Sequence, residues 1–179
     1  MVNDFFVSER LLYRHYREDD IPAMVKRANE PSQRRWFYFQ EPDCLTEQYA
    51  RNHVIRSIST WNKEVNVLKD ECDLAVVLKE TGELIGGVGV AWRTRPEVQL
   101  NGLEIGFGIA ESHQCQGYAT EAAKAAIEWA IKQLHNLGAE VKIGAYIEHN
   151  NVPSRKVVEK VGFTYIRCEE YVSVYEIYG

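Results

Sequence analysis

Gln114-Cys115-Gln116-Gly117-Tyr118-Ala119-Thr120-Glu121 stands between an apolar strand dotted with glycine and the longest helical pattern of the chain. The first turn of a helix leaves backbone N–H groups without partners and carries the positive end of the helix dipole. Gly117 removes the side chain where a phosphate must approach that backbone, and Ala119 keeps a second position small. Pyrophosphate binding is the chemistry such a loop can do. It is neither a Gly-x-Gly-x-x-Gly fingerprint nor a Walker loop, because it holds one glycine and no Lys-Ser/Thr follows. A glycine turn that starts an ordinary helix is the competing reading. Asn151-Val152-Pro153-Ser154, followed by Gly162-Phe163, sets an Asn and a Ser at another helix start. Both residues are also preferred caps, so this element alone is equally bland. Capping does not explain the ordered combination of the two.

Thiol and metal chemistry are not expected. His113-Gln114-Cys115 invites a thiol–imidazole pair, but the fold, not adjacency in sequence, usually assembles such pairs. Cys44, Cys72, Cys115 and Cys168 contain no Cys-x-x-Cys, and no His-x-x-x-His face is present. Zinc ligands cluster at short spacings, so no metal site is expected. Four scattered thiols read as reduced intracellular cysteines.

The motifs need a strand in front and a helix behind, and the patterning supplies both. Residues 9–14 read as a strand, and Asp19-Asp20 caps a helix that starts at Ile21 with Pro22 in its first turn. A second helix starts at Thr46, with Ala50, Val54, Ile58 and Trp61 on one face. Strands at 74–78 and 84–90 flank the turn Glu80-Thr81-Gly82-Glu83, and a polar connection, 93–102, leads to a strand at 103–109. The long helix covers 118–136, its buried stripe running Ala119, Ala122, Ala123, Ala126, Ile127, Ala130, Leu134 and Leu137, and Gly138 ends it. Val141, Ile143 and Ala145 alternate as a half-buried strand, a short helix spans 152–161, and 163–168 with 171–178 close a terminal hairpin. This order predicts an α+β fold, a mixed sheet with helices on its faces, in one domain over residues 1–179.

Composition narrows the class. With 179 residues, 45% apolar and 26% charged, the chain is long enough for a core and ordinary for a globular protein. Twenty-one basic against twenty-six acidic residues give −5, the wrong sign for a nucleic-acid grip. No run approaches the ~20 apolar residues of a membrane span. The opening Met1-Val2-Asn3-Asp4-Phe5-Phe6 lacks the cationic and apolar parts of a secretory leader. A soluble cytoplasmic protein with no nucleic-acid or membrane partner is expected.

Taken together, the motifs resemble the GNAT superfamily of acyl-CoA-dependent N-acetyltransferases. Gln114-x-x-Gly117-x-Ala119 matches the Q/R-x-x-G-x-G/A pyrophosphate loop. Asn151-x-x-Ser154 with Gly162-Phe163 is similar to the ribosomal-protein N-terminal acetyltransferase branch, the RimJ/RimL-like proteins. Leu11-x-x-Arg14, Gly86-Gly87, Glu104-Ile105-Gly106-Phe107 and Gly117-Tyr118-Ala119-Thr120-Glu121-Ala122 also look like that branch, so the resemblance covers nearly the whole chain.

The resemblance implies a mostly antiparallel sheet of about seven strands, splayed in the middle, with about four helices on both faces. It implies acetyl-CoA as cosubstrate, no metal, a primary-amine acceptor, and a monomer or homodimer. Phe107, Gly108 and Ile109 would pair with the pantetheine arm, and the amides of Cys115, Gln116, Gly117, Tyr118, Ala119 and Thr120 would hold the pyrophosphate, with Gln114 opening the loop. Asn151 would meet the pantetheine amides, and Ser154 would sit near the thioester sulfur. Glu104 would take the amine's proton through a water, unless it is only an exposed strand residue paired with a cation. The backbone N–H of Ile109 would serve the tetrahedral oxyanion.

Two positions depart from the family pattern. Val158 stands where many members carry a tyrosine that protonates the CoA thiolate, so Ser154 or a water must substitute. Cys115 stands where glycine is usual, and its β-carbon is tolerable only if φ stays negative. In Arg34-Arg35-Trp36-Phe37-Tyr38-Phe39, Trp36 and Tyr38 are candidate acceptor contacts, though four clustered aromatics are more often core or lid. The acceptor reads as a peptide N-terminus. A small amine or aminoglycoside, or a non-catalytic acyl-CoA sensor, are the alternatives.

Overall fold

The computed structural model describes residues 6–38, 46–96, 100–169 and 171–179. Eight strands form one sheet in the order β1-β2-β3-β4-β5-β6-β8-β7. They are β1 (Phe6–Val7), β2 (Leu11–Arg14), β3 (Cys72–Leu78), β4 (Leu84–Arg95), β5 (Leu100–Ile109), β6 (Lys142–Glu148), β7 (Thr164–Glu169) and β8 (Val172–Tyr178). Five helices accompany them: α1 (Ile21–Ala28), α2 (Pro31–Gln33), α3 (Glu47–Trp61), α4 (Tyr118–Asn136) and α5 (Val152–Lys160). The expected α+β layout is present. The additions to the sequence reading are the two-residue β1 and the three-residue α2, both too short to carry a periodicity.

Every strand pair is antiparallel except β5–β6. That parallel pair is registered at Leu103–Ile143 and Glu104–Gly144 only, so the two strands diverge from there on. Of the connection expected over 93–102, residues 93–95 and 100–102 instead extend β4 and β5 as paired strand, and beside them Trp92 Nε1 and Thr94 Oγ1 each donate to Asn101 Oδ1 at 3.1 Å. Ladder bonds come from the backbone, so polar side chains do not forbid a strand.

Helix α4 buries Ala122, Ala123, Ala126, Ile127, Ala130 and Leu134 against Val88, Val90, Leu103, Ile105 and Ile109. Its alanines let the axis approach the sheet closely. The stripe stops a turn short of the expectation: Leu137 is 45% exposed, because Gly138 at φ +62° turns the chain away there. On the other sheet face, Ile21 and Met24 of α1 and Ala50 and Val54 of α3 pack on Ala75, Val77 and Tyr16. Thr46 caps α3 by accepting from Tyr49 N at 3.1 Å.

Asp20 does more than the capping its type implies: its Oδ2 accepts from Arg17 N at 2.8 Å, closing the short 3-10 turn Glu18–Asp20 that leads into α1. It makes no side-chain cap bond to α1. It receives both Arg14 nitrogens, Nη1 at 2.6 Å and Nη2 at 2.8 Å, in a buried bidentate pair. A buried arginine is tolerable only when its charge and donors are matched. Asp20→Asn keeps the shape and removes the charge, so urea unfolding should show a loss on the order of 2 kcal/mol.

Candidate active site

Beyond Ile109 the chain makes a short 3-10 turn, Glu111–His113, and then the loop that opens α4. Two loop residues take left-handed backbone, Cys115 at φ +60° and Gly117 at φ +86°. The negative φ expected of Cys115 is therefore not found. It is the only non-glycine at positive φ among the described residues, a conformation that costs a side-chain-bearing residue roughly 1–3 kcal/mol. Left-handed residues among helical ones curl successive N–H groups inward, the geometry of an anion nest. No side chain caps α4, which leaves its first amides facing that concavity.

Arg10 holds the outer wall of this loop, and sequence reasoning missed it. Its Nε donates to Glu121 Oε2 at 2.8 Å and its Nη1 to the Gln116 carbonyl at 3.0 Å, while the guanidinium lies 4.4 Å from the Tyr118 ring centroid. Ser8 Oγ and Arg10 N both donate to Glu121 Oε1, at 2.6 and 2.7 Å. Burial works against the Glu121 carboxylate, but these bonds outweigh it and hold the carboxyl below its ordinary range. A β-carbon at Gly117 would come within 3.3 Å of Arg10 Nη2.

The second part of the site is the open edge of β5. Ala110 N donates back to Ile85 O on β4, so alternation turns the Ile109 peptide groups outward, into the gap left by β6. The Ile109 carbonyl accepts from Gln33 Nε2 at 3.1 Å and from Gln114 Nε2 at 2.9 Å. Its N–H points the same way, by the same alternation. Gln114 is thus a brace, tying the loop to the strand end.

Loop, strand edge and α5 enclose a cleft of about 450 Å³. Phe107, Gly108 and Ile109 form one wall, and Gln114, Cys115, Gly117, Tyr118, Ala119 and Thr120 form the floor. Asn151 and Ser154 stand opposite, and Trp36 borders the mouth. Eleven of the twelve expected cosubstrate residues therefore meet in one place. Gln116 does not line the cleft and contributes its carbonyl to Arg10 instead. Asn151 Oδ1 accepts from Ser154 N at 3.3 Å, so Asn151 caps α5 while bordering the cleft, with its amide NH2 as the donor side. Lys156 and Lys160, one turn apart on α5, also border the cleft and were missed, although their i,i+4 spacing is a readable signal. Val158 is fully buried, so the core has taken the position where the family often keeps a tyrosine.

Glu104 lies elsewhere. Leu103 and Ile105 are buried on the α4 side, so Glu104 between them points to the face carrying α1 and α3, at the last rung before the gap. Its Oε2 is buried. An acceptor reaching the gap from that face would meet it. The Tyr38 side chain and Cys44 fall outside the described residues. His113 Nδ1 pairs with Ser112 Oγ at 2.9 Å rather than with Cys115. No group of three or more metal-ligating side chains occurs among the described residues, and no described helix is long and apolar enough to cross a membrane.

Known proteins resemble this chain in sequence and in fold. Over 127 residues the chain is 37% identical to the uncharacterized N-acetyltransferase YjdG of Bacillus subtilis (strain 168), spanning 70% of this chain and 63% of that protein's length. Mycobacterium smegmatis RimJ, in complex with CoA-disulfide, shares the fold at a TM-score of 0.71 and 18% identity, over 94% of this chain and 82% of that one. Ribosomal-protein-S5-alanine acetyltransferase from Vibrio fischeri shares it at 0.69 and 18%, over 97% and 95%. Residues 10–164 match the acetyltransferase (GNAT) domain, from the arginine that braces the loop to the start of β7, and the chain belongs to that family.

Proposed function

We propose that this protein moves an acetyl group from acetyl-CoA to a primary amine by direct attack in a ternary complex, and that the amine is the α-amine of a protein or peptide N-terminus. The observation that carries the reading is the divergence of β5 from β6 immediately after Glu104, opening onto the left-handed loop at the start of α4. The amides of residues 115–120 hold the pyrophosphate, with Lys156 and Lys160 adding positive charge. The pantetheine arm adds to the free edge at Phe107–Ile109, and the Asn151 amide donates to it. The Ile109 N–H receives the developing oxyanion. Ser154, or a water it holds, returns a proton to the leaving thiolate.

A peptide α-amine ionises near ~8 and a lysine near ~10.4, so either must shed a proton before it attacks. Glu104 accepts that proton through a water. Holding amine and thioester together supplies much of the rate. The ribosomal-protein acetyltransferase among the fold neighbours supports the peptide acceptor, as does the lower proton affinity of an α-amine.

The test is a panel of acceptors with acetyl-CoA, following free thiol and mapping the acetylated atom by mass spectrometry. Peptides with small N-terminal residues should be modified on the α-amine, with their lysines left alone. Product only on polyamines or aminoglycosides would replace the acceptor class. Binding of acetyl-CoA without thiol release for any amine would make the protein a sensor. Trp36, half-buried at the mouth, should act on the acceptor side: Trp36→Ala is expected to raise the acceptor KM roughly fivefold while acetyl-CoA affinity holds.

A further inference from the structure

Three side chains that play no part in acetyl transfer form a relay at the far end of β6. His149 follows that strand directly, and Cys168 and Ser173 are registered partners across β7 and β8. Cys168 Sγ lies 3.2 Å from His149 Nε2, and His149 Nδ1 lies 3.0 Å from Ser173 Oγ. The thiol is exposed, whereas Ser173 is only 3% exposed. The backbone of His149 is fixed from both sides, its N–H donating to Tyr171 O at 3.2 Å and its carbonyl accepting from Arg155 Nη1 at 3.2 Å. None of the three borders the cleft.

The geometry selects a proton path. A thiol reacts as its thiolate, so a neighbouring base that takes the proton creates the nucleophile. Nε2 can accept that proton only if the ring hydrogen sits on Nδ1, and an Nδ1–H donating to the Ser173 hydroxyl holds that tautomer. The other described thiols lack this arrangement. Cys72 is buried, which pushes its thiol up to about 12, and Cys115 has no imidazole contact.

We propose that Cys168 is a thiol–disulfide exchange site that takes one half of a low-molecular-weight disulfide as a mixed disulfide, with His149 as its proton acceptor. The Cys168 proton passes to Nε2, and the thiolate attacks one sulfur of R–S–S–R. A Cys168–S–S–R bond forms, the original S–S bond breaks, and the departing RS⁻ takes the proton back from His149. No outside oxidant is needed, because the disulfide is itself reduced by the exchange. Arg155 on α5 donates to the His149 carbonyl, Glu148 precedes His149 in sequence, and Arg167 and Glu169, on either side of Cys168 in β7, pair with each other.

The experiment uses the full chain with 5,5′-dithiobis(2-nitrobenzoate) for rates and glutathione disulfide for the adduct, each mapped by mass spectrometry. At pH 7, Cys168 should react on the order of tenfold faster than Cys115, and His149→Gln should remove that advantage. At pH 10, where an ordinary thiol ionises unaided, parent and variant should converge. Glutathione should be found on Cys168. Equal Cys168 rates in parent and variant at pH 7 overturn the proposal. So does a defect undiminished at pH 10, which marks access rather than proton transfer, or the absence of a glutathione adduct at Cys168. Should His149→Gln fail to fold, the parent decides: Cys168 must outpace the same thiol in the urea-unfolded chain, and a slower folded rate rejects the relay.

Discussion

Gly117→Val abolishes the rise in melting temperature that acetyl-CoA gives the parent protein. A ligand that binds only the native state at a hundred times its Kd stabilises by about 2.7 kcal/mol. For a chain of this length each kcal/mol is worth roughly 2–4 °C, so the parent should gain about 5–10 °C. Valine fails at Gly117 for two reasons. Its branched side chain resists φ +86°, and its β-carbon would lie 3.3 Å from the Arg10 guanidinium that fixes the loop. The amides that should converge on phosphate would then point elsewhere. Differential scanning fluorimetry with and without acetyl-CoA is the measurement, with circular dichroism to establish that the variant is folded. A folded Gly117→Val protein with the full shift would remove the loop from the binding site.

Glu104→Gln should lower kcat on the order of 10²-fold at neutral pH with little change in acetyl-CoA affinity. Glutamine keeps the volume and the strand position but cannot accept the amine's proton. Because Glu104 faces away from the cleft wall, the cosubstrate should not sense the change. The defect should shrink as pH rises past ~8, where more of the peptide α-amine arrives already deprotonated. Steady-state rates of thiol release between pH 6.5 and 9.5 test this. A defect of constant size at every pH would mean that Glu104 orients the acceptor, and no defect at all would hand the proton to Glu148 or to bulk water.

The legible parts of this molecule are those set by neighbours in sequence. The alanine stripe of α4, the Thr46 cap and the loop glycine each follow from period or turn chemistry within a few residues. What could not be read is what distant residues impose on one another. Arg10 and Glu121 stand 111 positions apart, and no spacing rule joins them. Cys115 argues by its own chemistry against left-handed backbone, yet the path from β5 into α4 requires it there. Asp20 has the type and place of a cap, and its carboxylate does take the Arg17 N–H, but nothing local says that a buried arginine six residues earlier shares it. His149 and Cys168 illustrate the same limit: the adjacent pair at 113 and 115 draws attention, while the spatial pair lies 19 residues apart.

The two rungs between β5 and β6 also make the sheet a book with a short spine. One leaf is β1 to β5, the other β6, β8 and β7, and among the described residues Leu103–Ile143 and Glu104–Gly144 are the ladder rungs that stitch them. A ligand laid in the gap and bonded to both leaves would act as further stitching, so amide hydrogen exchange along residues 145–148 should slow on binding. Strands already paired on both edges, such as β3, should change little. The same seam constrains how this protein can be stabilised. Each added rung would tighten the spine and narrow the slot in which the cosubstrate is proposed to lie, so a tougher variant has to find its gains in the leaves.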